Sequence, residues 1–267
     1  MPISNYHQRP AALFEGVLQR LSIFIAYKKN TNRGTYSTAV YRWKSDTRDN
    51  LFSNVSYSLC NQTSQHNFLK IGVEVETDIL SKYLKHQAIE RYLNSGTKSN
   101  NKIYYRTAGG GYWVTILNTG FDTKSLSNKS ATFVDTRNSR VFSAVLNSNL
   151  FWWYYSINFD QFNFKDYMIF GFRFTYPTNK YVETKLVELS NRLEKELLCN
   201  ATTYIIQSKT RGSNETITYN KYLSKLTMDT IDTVLADHYG FTPEELDFII
   251  NYDIKYRMGK ELEGDEG

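Results

Sequence analysis

The chain is poor in cysteine, histidine and proline, and each shortage closes off a class of chemistry. Cys60 and Cys199 are the only cysteines among 267 residues. Two thiols so far apart make neither a metal knuckle nor a disulfide framework, so a reduced, cytoplasmic setting is expected. His7, His66, His86 and His238 are scattered without ligand spacing, so no metal site is expected. No apolar run reaches the length of a membrane span, and no charged-then-apolar leader is present, so no membrane partner is expected. A Gly-x-Ser-x-Gly elbow, a dinucleotide fingerprint and a methyl-donor fingerprint are all missing. The prolines are Pro2, Pro10, Pro177 and Pro243, none beside another.

What is abundant is aromatic and basic. Hydrophobic residues make up 41% of the chain, enough for one large core or two small ones. Aromatics reach 15%, which suits a core, base stacking, or both. The net charge of +5 is compatible with nucleic acid, because phosphates neutralised by Lys or Arg release counterions.

Hydropathy patterning predicts an α+β fold. Leu21–Tyr27 and Thr35–Trp43 read as strands of a hairpin with a long turn. Phe68–Glu76 alternates near period two and predicts a half-buried strand, followed by a helix capped at Thr77 or Asp78 and ended by Asn94-Ser95-Gly96. Ile103–Arg106 and Tyr112–Leu117 predict strands around Gly109-Gly110-Gly111, which reads as a wide turn because a phosphate loop's spacing is missing. Arg140–Tyr155 reads as one helix. Lys180–Leu198 is amphipathic, with Val182, Leu186, Leu189, Leu193 and Leu197 on one face, packed on the domain or on a partner. Residues 199–226 are polar with weak strand propensity. A helix over Met228–His238 stops at Gly240. In the last helix Thr242 is the N-cap, Pro243 the first helical residue and Glu245 the closing member of a capping box, with the far end near Gly259.

Several residues are candidates for chemistry. The block Trp152-Trp153-Tyr154-Tyr155 fits core packing, and it also fits rings that stack on bases. Lys98, Lys102, Arg106, Lys124, Lys129, Arg137 and Arg140 punctuate polar loops rich in Asn, Ser and Thr, as a phosphate-gripping surface would. Asp253-Ile254-Lys255 matches an acid-x-Lys nuclease signature, but so does Glu183-Thr184-Lys185, and both fall in predicted helices.

Three segments, in one order, carry a family resemblance. Asn5–Ile23 (NYHQRPAALFEGVLQRLSI), with Arg42-Trp43 after it, is similar to the segment that follows the catalytic strands of type IIG restriction–modification enzymes. Val145–Trp153 (VLNSNLFWW) resembles a phrase common in DNA target-recognition domains, including specificity subunits of type I systems. The tail His238–Gly259 resembles the end of the same type IIG proteins.

The resemblance implies a division of parts. Residues 1–50 would be a remnant β-hairpin of an α/β methyltransferase sheet, 51–198 a mixed α/β target-recognition domain, and 199–267 a helical C-terminal segment. In the family, S-adenosylmethionine donates a methyl group to an adenine flipped from double-stranded DNA, held by an Asn/Asp-Pro-Pro-Tyr/Phe tetrapeptide. No adjacent prolines exist here, so no catalytic residue carries over, and this chain alone is expected to bind no cofactor. Phe14 is the candidate for the ring that stacks on the flipped base, with a buried core Phe as the bland alternative. Where the middle phrase usually leads into a Gly/Asn-rich stretch and an Arg-containing strand, this chain has Asn158-Phe159-Asp160 and Phe172-Arg173-Phe174. The expected partners are double-stranded DNA and an N-terminal methyltransferase half or subunit. The rival readings are a protein-interaction or specificity subunit and a free-standing metal-dependent nuclease.

Overall fold

A computed structural model describes residues 1–258 except 9, 18, 27, 29–33, 61–62, 65–66, 97–98, 108–113, 124 and 209–211; at 63–64, 67, 206–208 and 212–216 it describes the backbone. The fold is α+β, with small sheets and eight α-helices among the described residues. The chain forms two compact units: Met1–Ser81 with Tyr154–Asp160, and Lys82–Trp153 with Gln161–Gly267.

In the first unit, β1 (Pro2–Tyr6), β2 (Leu21–Phe24), β3 (Tyr36–Tyr41) and β4 (Ser58–Leu59) form one sheet in the order β2-β1-β3-β4. The expected hairpin is therefore corrected. β1 lies between the two predicted strands, antiparallel to β2 and parallel to β3. The polar sequence Pro2-Ile3-Ser4-Asn5-Tyr6 hides this strand, because its polar side chains are satisfied across the sheet. Asn5 donates to the Thr38 carbonyl at 2.8 Å and accepts from Ser22 Oγ at 2.7 Å, while its backbone N–H donates to Thr38 Oγ1 at 3.0 Å. These bonds fill the register shift between β1 and β3. Tyr6 of β1 packs with Ala11, Leu13, Trp43 and Leu51 in a small core.

β5 (Thr63–Ser64) and β6 (Asn67–Phe68) pair as a short hairpin. The strand expected over 68–76 stops there, and α1 (Glu74–Tyr83) starts earlier than its predicted cap. Gly72 explains the change. A Cβ on it would stand 2.6 Å from the Ala39 amide nitrogen, so the chain lies flat on β3 at this point. The buried Glu76 carboxylate then turns back to accept from the N–H groups of Gly72 (2.7 Å) and Val73 (3.3 Å), satisfying amides that a helix start leaves open.

The second unit holds β7 (Lys102–Arg106) against β8 (Asn128–Thr132), then α2 (Ser139–Leu146), α3 (Asn149–Asn158, whose first five residues lie here), α4 (Asp166–Phe170) and α5 (Lys180–Cys199). There follow β9 (Ala201–Ser208), β10 (Gly212–Tyr219), α6 (Lys225–Tyr239), α7 (Pro243–Asn251) and α8 (Ile254–Arg257). The polar stretch after α5 is thus a full antiparallel ribbon. Of the predicted Tyr112–Leu117 strand, residues 114–117 are described and hold a bridge between Tyr104 and Leu117, while Gly109–Gly111, Tyr112 and Trp113 fall outside the described residues.

The core of this unit is aromatic. Phe133 stacks on Phe142 at 4.1 Å, and Trp153 meets the edge of Tyr83 at 6.1 Å. The apolar stripe of α5 is consumed inside the unit, where Leu186, Leu189, Leu193 and Leu197 are buried and the helix packs on α2 and α6. Each such side chain contributes roughly 1.5–3 kcal/mol. α6 ends at Gly240, whose φ of +73° suits glycine, and Thr242 and Glu245 form the predicted capping box. The final helix is broken, however. Tyr252 is extended and Asp253 left-handed (φ 55°), separating α7 from α8.

Candidate functional site

The predicted helix over 140–155 is two helices, and their joint is the most elaborate polar structure in the second unit. Asn147 ends α2. Its Nδ2 donates to the Ile116 carbonyl and to the Ser143 carbonyl, both at 2.8 Å, and its Oδ1 accepts from Ile116 N–H at 3.1 Å. The side-chain amide therefore pairs with Ile116 much as a neighbouring strand would. Ser148 then caps α3, its Oγ accepting from Phe151 N–H at 3.0 Å.

The two amides before Phe151 are taken by a carboxylate. Asp232, fully buried on α6, accepts from Asn149 N–H and Leu150 N–H, both at 3.0 Å, and from Asn149 Nδ2 at 2.7 Å. Burial raises its pKa to about 6 even though these donors favour the carboxylate. A negative group at a helix N-terminus is favoured by the local dipole and the open N–H groups.

Two cations close the joint. The Arg257 Nη1 donates to Asn149 Oδ1 at 2.8 Å, and its guanidinium carbon lies 5.3 Å from the Trp152 ring centre. Lys221 Nζ donates to Asn147 Oδ1 at 2.6 Å. Both side chains are buried, at 3% and 2% exposure. Burial, with repulsion from Arg257, holds Lys221 well below an ordinary lysine pKa; burial lowers Arg257 to about 10 against the pull of Asp232, Asp253 and Asp229. A cleft of about 190 Å³, counted with its open side, lies between Lys221 and Arg257.

The sequence candidates scatter around this joint rather than meeting in one place. Trp152 and Trp153 are 2% and 0% exposed, which corrects their reading as base-stacking rings, since stacking needs an open face. Arg106 anchors the root of the β9–β10 ribbon. It donates to Asn128 Oδ1, Thr123 Oγ1 and the Ile217 carbonyl, and lies 4.5 Å from the Phe121 ring centre. Arg140 is drawn to the buried Glu194 at 2.9 Å. That carboxylate also accepts from the N–H groups of Asn118 (2.6 Å) and Thr119 (2.9 Å). Burial alone would raise the pKa of Glu194, and these donors hold it below the usual value. These two arginines brace the fold before they could grip a phosphate.

Lys129 pairs with Asp166 at 3.3 Å in the open. Arg137 is exposed, with its guanidinium over Tyr176 at 4.9 Å, and Lys102 is half-buried. Lys98 and Lys124 lie outside the described residues. In the first unit Phe14 is 57% exposed, which corrects its reading as a buried core ring. Its neighbour is held: the Leu13 carbonyl accepts from Arg48 Nη2 at 2.8 Å.

Lys221 and Asp232 are not among the sequence candidates, and Arg257 is there only as a basic residue suiting the far end of the last helix. Asp232 had a signal, because it interrupts the buried face of α6 made by Met228, Ile231, Leu235 and Tyr239. Lys221 had none. Among the described residues no three His, Cys, Asp or Glu come together as a metal cage, and no helix is long and apolar enough to cross a membrane. Comparison with family models, curated proteins and solved structures finds no match for the chain.

Proposed function

We propose that this chain is a DNA-recognition module, the C-terminal portion of a type IIG-like, adenine-specific methyltransferase of a restriction–modification system, working in the cytoplasm. One observation carries the reading. Two of the three segments similar to that family, far apart in sequence, meet side chain to side chain: Arg257 of the tail donates to Asn149 of the VLNSNLFWW phrase. A phrase common to recognition domains has to serve whatever DNA sequence is read. Its burial as a helix joint suits a scaffold role, leaving contact with DNA to the surface.

On this reading Arg137 and the exposed Phe14 are the leading DNA contacts, and Lys129 joins them when Asp166 releases it. An N-terminal methyltransferase half supplies the Pro-Pro tetrapeptide and the site for S-adenosylmethionine. The Lys221–Arg257 cleft does not fit that cofactor, because it has room only for a body the size of water. β2 offers the N-terminal half a place to dock. It is outermost in its sheet and exposes Ile23 and Phe24, and an open strand edge with apolar side chains favours pairing with another chain.

The nuclease reading finds less support, since Asp253 sits in a left-handed turn between two helices and not in a strand. The helix-pairing form of the interaction reading loses its surface, because the α5 stripe is already covered.

The test is duplex binding by fluorescence anisotropy across a salt series. Affinity should fall as salt rises, with log K sloping by about −0.9 per phosphate neutralised. Binding that ignores salt, or no binding to any duplex at low salt, would sink the DNA reading. Methyl transfer to adenine by this chain alone would overturn the division of parts.

A further inference from the structure

We propose that the outer edge of β9 pairs, antiparallel and across a two-fold axis, with the same edge of a second copy of this chain, joining two ribbons in one four-stranded sheet. β9 and β10, eight residues each, pair along their whole length, and among the described residues neither pairs with a third strand. The root of the ribbon is held. Arg106 Nη1 donates to the Ile217 carbonyl at 3.0 Å, Asn220 Nδ2 donates to Thr202 Oγ1 at 3.0 Å, and the Phe121 and Tyr219 ring centres lie 6.0 Å apart. Its middle is open. Tyr204 and Ile205 are successive residues of β9, so they point to opposite faces, and they are 53% and 70% exposed. A two-stranded ribbon with no third strand and no covering layer is marginal in water, and a free edge presents a row of open N–H and C=O groups.

The composition of the strands says what pairs there. β9 reads Ala-Thr-Thr-Tyr-Ile-Ile-Gln-Ser, without a charge or a proline, the residues that keep a free edge from pairing. β10 carries Glu215, which two-fold pairing would set close to its own counterpart, and like charges across strands repel. Duplex DNA is a poorer match for the β9 edge. Lys209 and Arg211 come after the strand in sequence, and Arg106 is spent at the root. A second copy brings an identical uncharged edge, rich in β-branched and aromatic residues, and an isologous contact uses the same patch on both sides. The open backbone groups of one edge belong to every second residue, so two-fold pairing sets a residue opposite its own counterpart. With the axis at the middle of β9, that residue is Tyr204 or Ile205, and the shared edge runs for about 27 Å.

The experiment is sedimentation of the full chain over a concentration series from micromolar upward. A reversible shift toward twice the 31.2 kDa mass of one chain is expected. Ile205→Lys, which brings two ammonium groups together near the axis, should return the chain to monomer. Thr218→Lys, at an exposed position on β10, should leave the dimer intact. A monomer at every concentration overturns the proposal and leaves the ribbon to a different chain or to DNA. A dimer that survives Ile205→Lys, or one lost in Thr218→Lys, overturns it as well. If Ile205→Lys fails to fold, hydrogen exchange of the unaltered chain decides the matter: the amides of 201–208 should exchange more slowly as concentration rises, and rates that ignore concentration reject the site. No DNA is present in these measurements, so failure here is separable from failure of the recognition role.

Discussion

The two units differ in how many of their aromatic rings are buried. The second unit buries Phe133, Phe142, Phe151, Trp153, Phe172 and Phe174, although Phe162, Tyr167 and Tyr181 stay on its surface. The first has a small core that includes Tyr6 and Trp43, and leaves Phe14, Phe24 and Phe52 more than half exposed. Composition alone cannot separate these cases. A ring buried against other rings stabilises its own chain, whereas a ring left in water on an open sheet edge stabilises only a complex.

The largest expected effect tests the inward half of this contrast. Trp153→Ala should lower stability by about 3–5 kcal/mol, because it empties a fully buried site edge-on to Tyr83. Urea unfolding reads this directly, and a loss under 1 kcal/mol would mean the ring is not core.

Next comes the polar joint inside the same unit. Asp232→Ala should cost about 2 kcal/mol, since it strands the N–H groups of Asn149 and Leu150 in a buried setting. Asp232→Asn should recover part of that, because its remaining oxygen still accepts. If both variants unfold at the same urea concentration as the parent, the carboxylate does not cap α3.

A smaller effect depends on pH. His86 is held at about 4 by burial and by its neighbour His238, and its Nδ1 accepts from Thr175 N–H at 3.4 Å. Its folded value lies below the ordinary 6.5, so protonation favours the unfolded chain. The contribution is complete above pH 6.5 and is lost as pH falls from there toward 4. His86→Asn should therefore flatten the decline of Tm in that window. Parallel Tm curves for parent and variant would show that His86 does not titrate there.

The smallest effect tests the outward half. Phe24→Ser and Ile25→Thr should each change stability by less than about 0.5 kcal/mol, yet raise the concentration at which the chain stays monodisperse in light scattering. A loss of stability like that of Trp153→Ala would show that these side chains are core after all.

Elements written in neighbouring residues were legible. The capping box at Thr242 and Glu245, the stop at Gly240 and the α5 stripe need only local chemistry, and each matches its prediction. Elements set by remote partners were not. Pro2–Tyr6 looks like coil until Ser22, Ser37 and Thr38 flank it. Alternating Leu69, Ile71, Val73 and Val75 look like a strand until Gly72 presses on Ala39 and Glu76 starts a helix. The candidate arginines looked free for phosphate because Glu194 and Ile217 lie far away in sequence.

The amino-acid order by itself settled an α+β chain, its best-capped helices and an aromatic surplus, because hydrophobic period and cap chemistry act over a few residues. It could not say that Asn147 would break a helix, or that Lys221, Asp232 and Arg257 would gather about the break. Only the folded chain decided that, since a buried charge or amide takes its role from partners that the backbone brings together across long stretches of sequence.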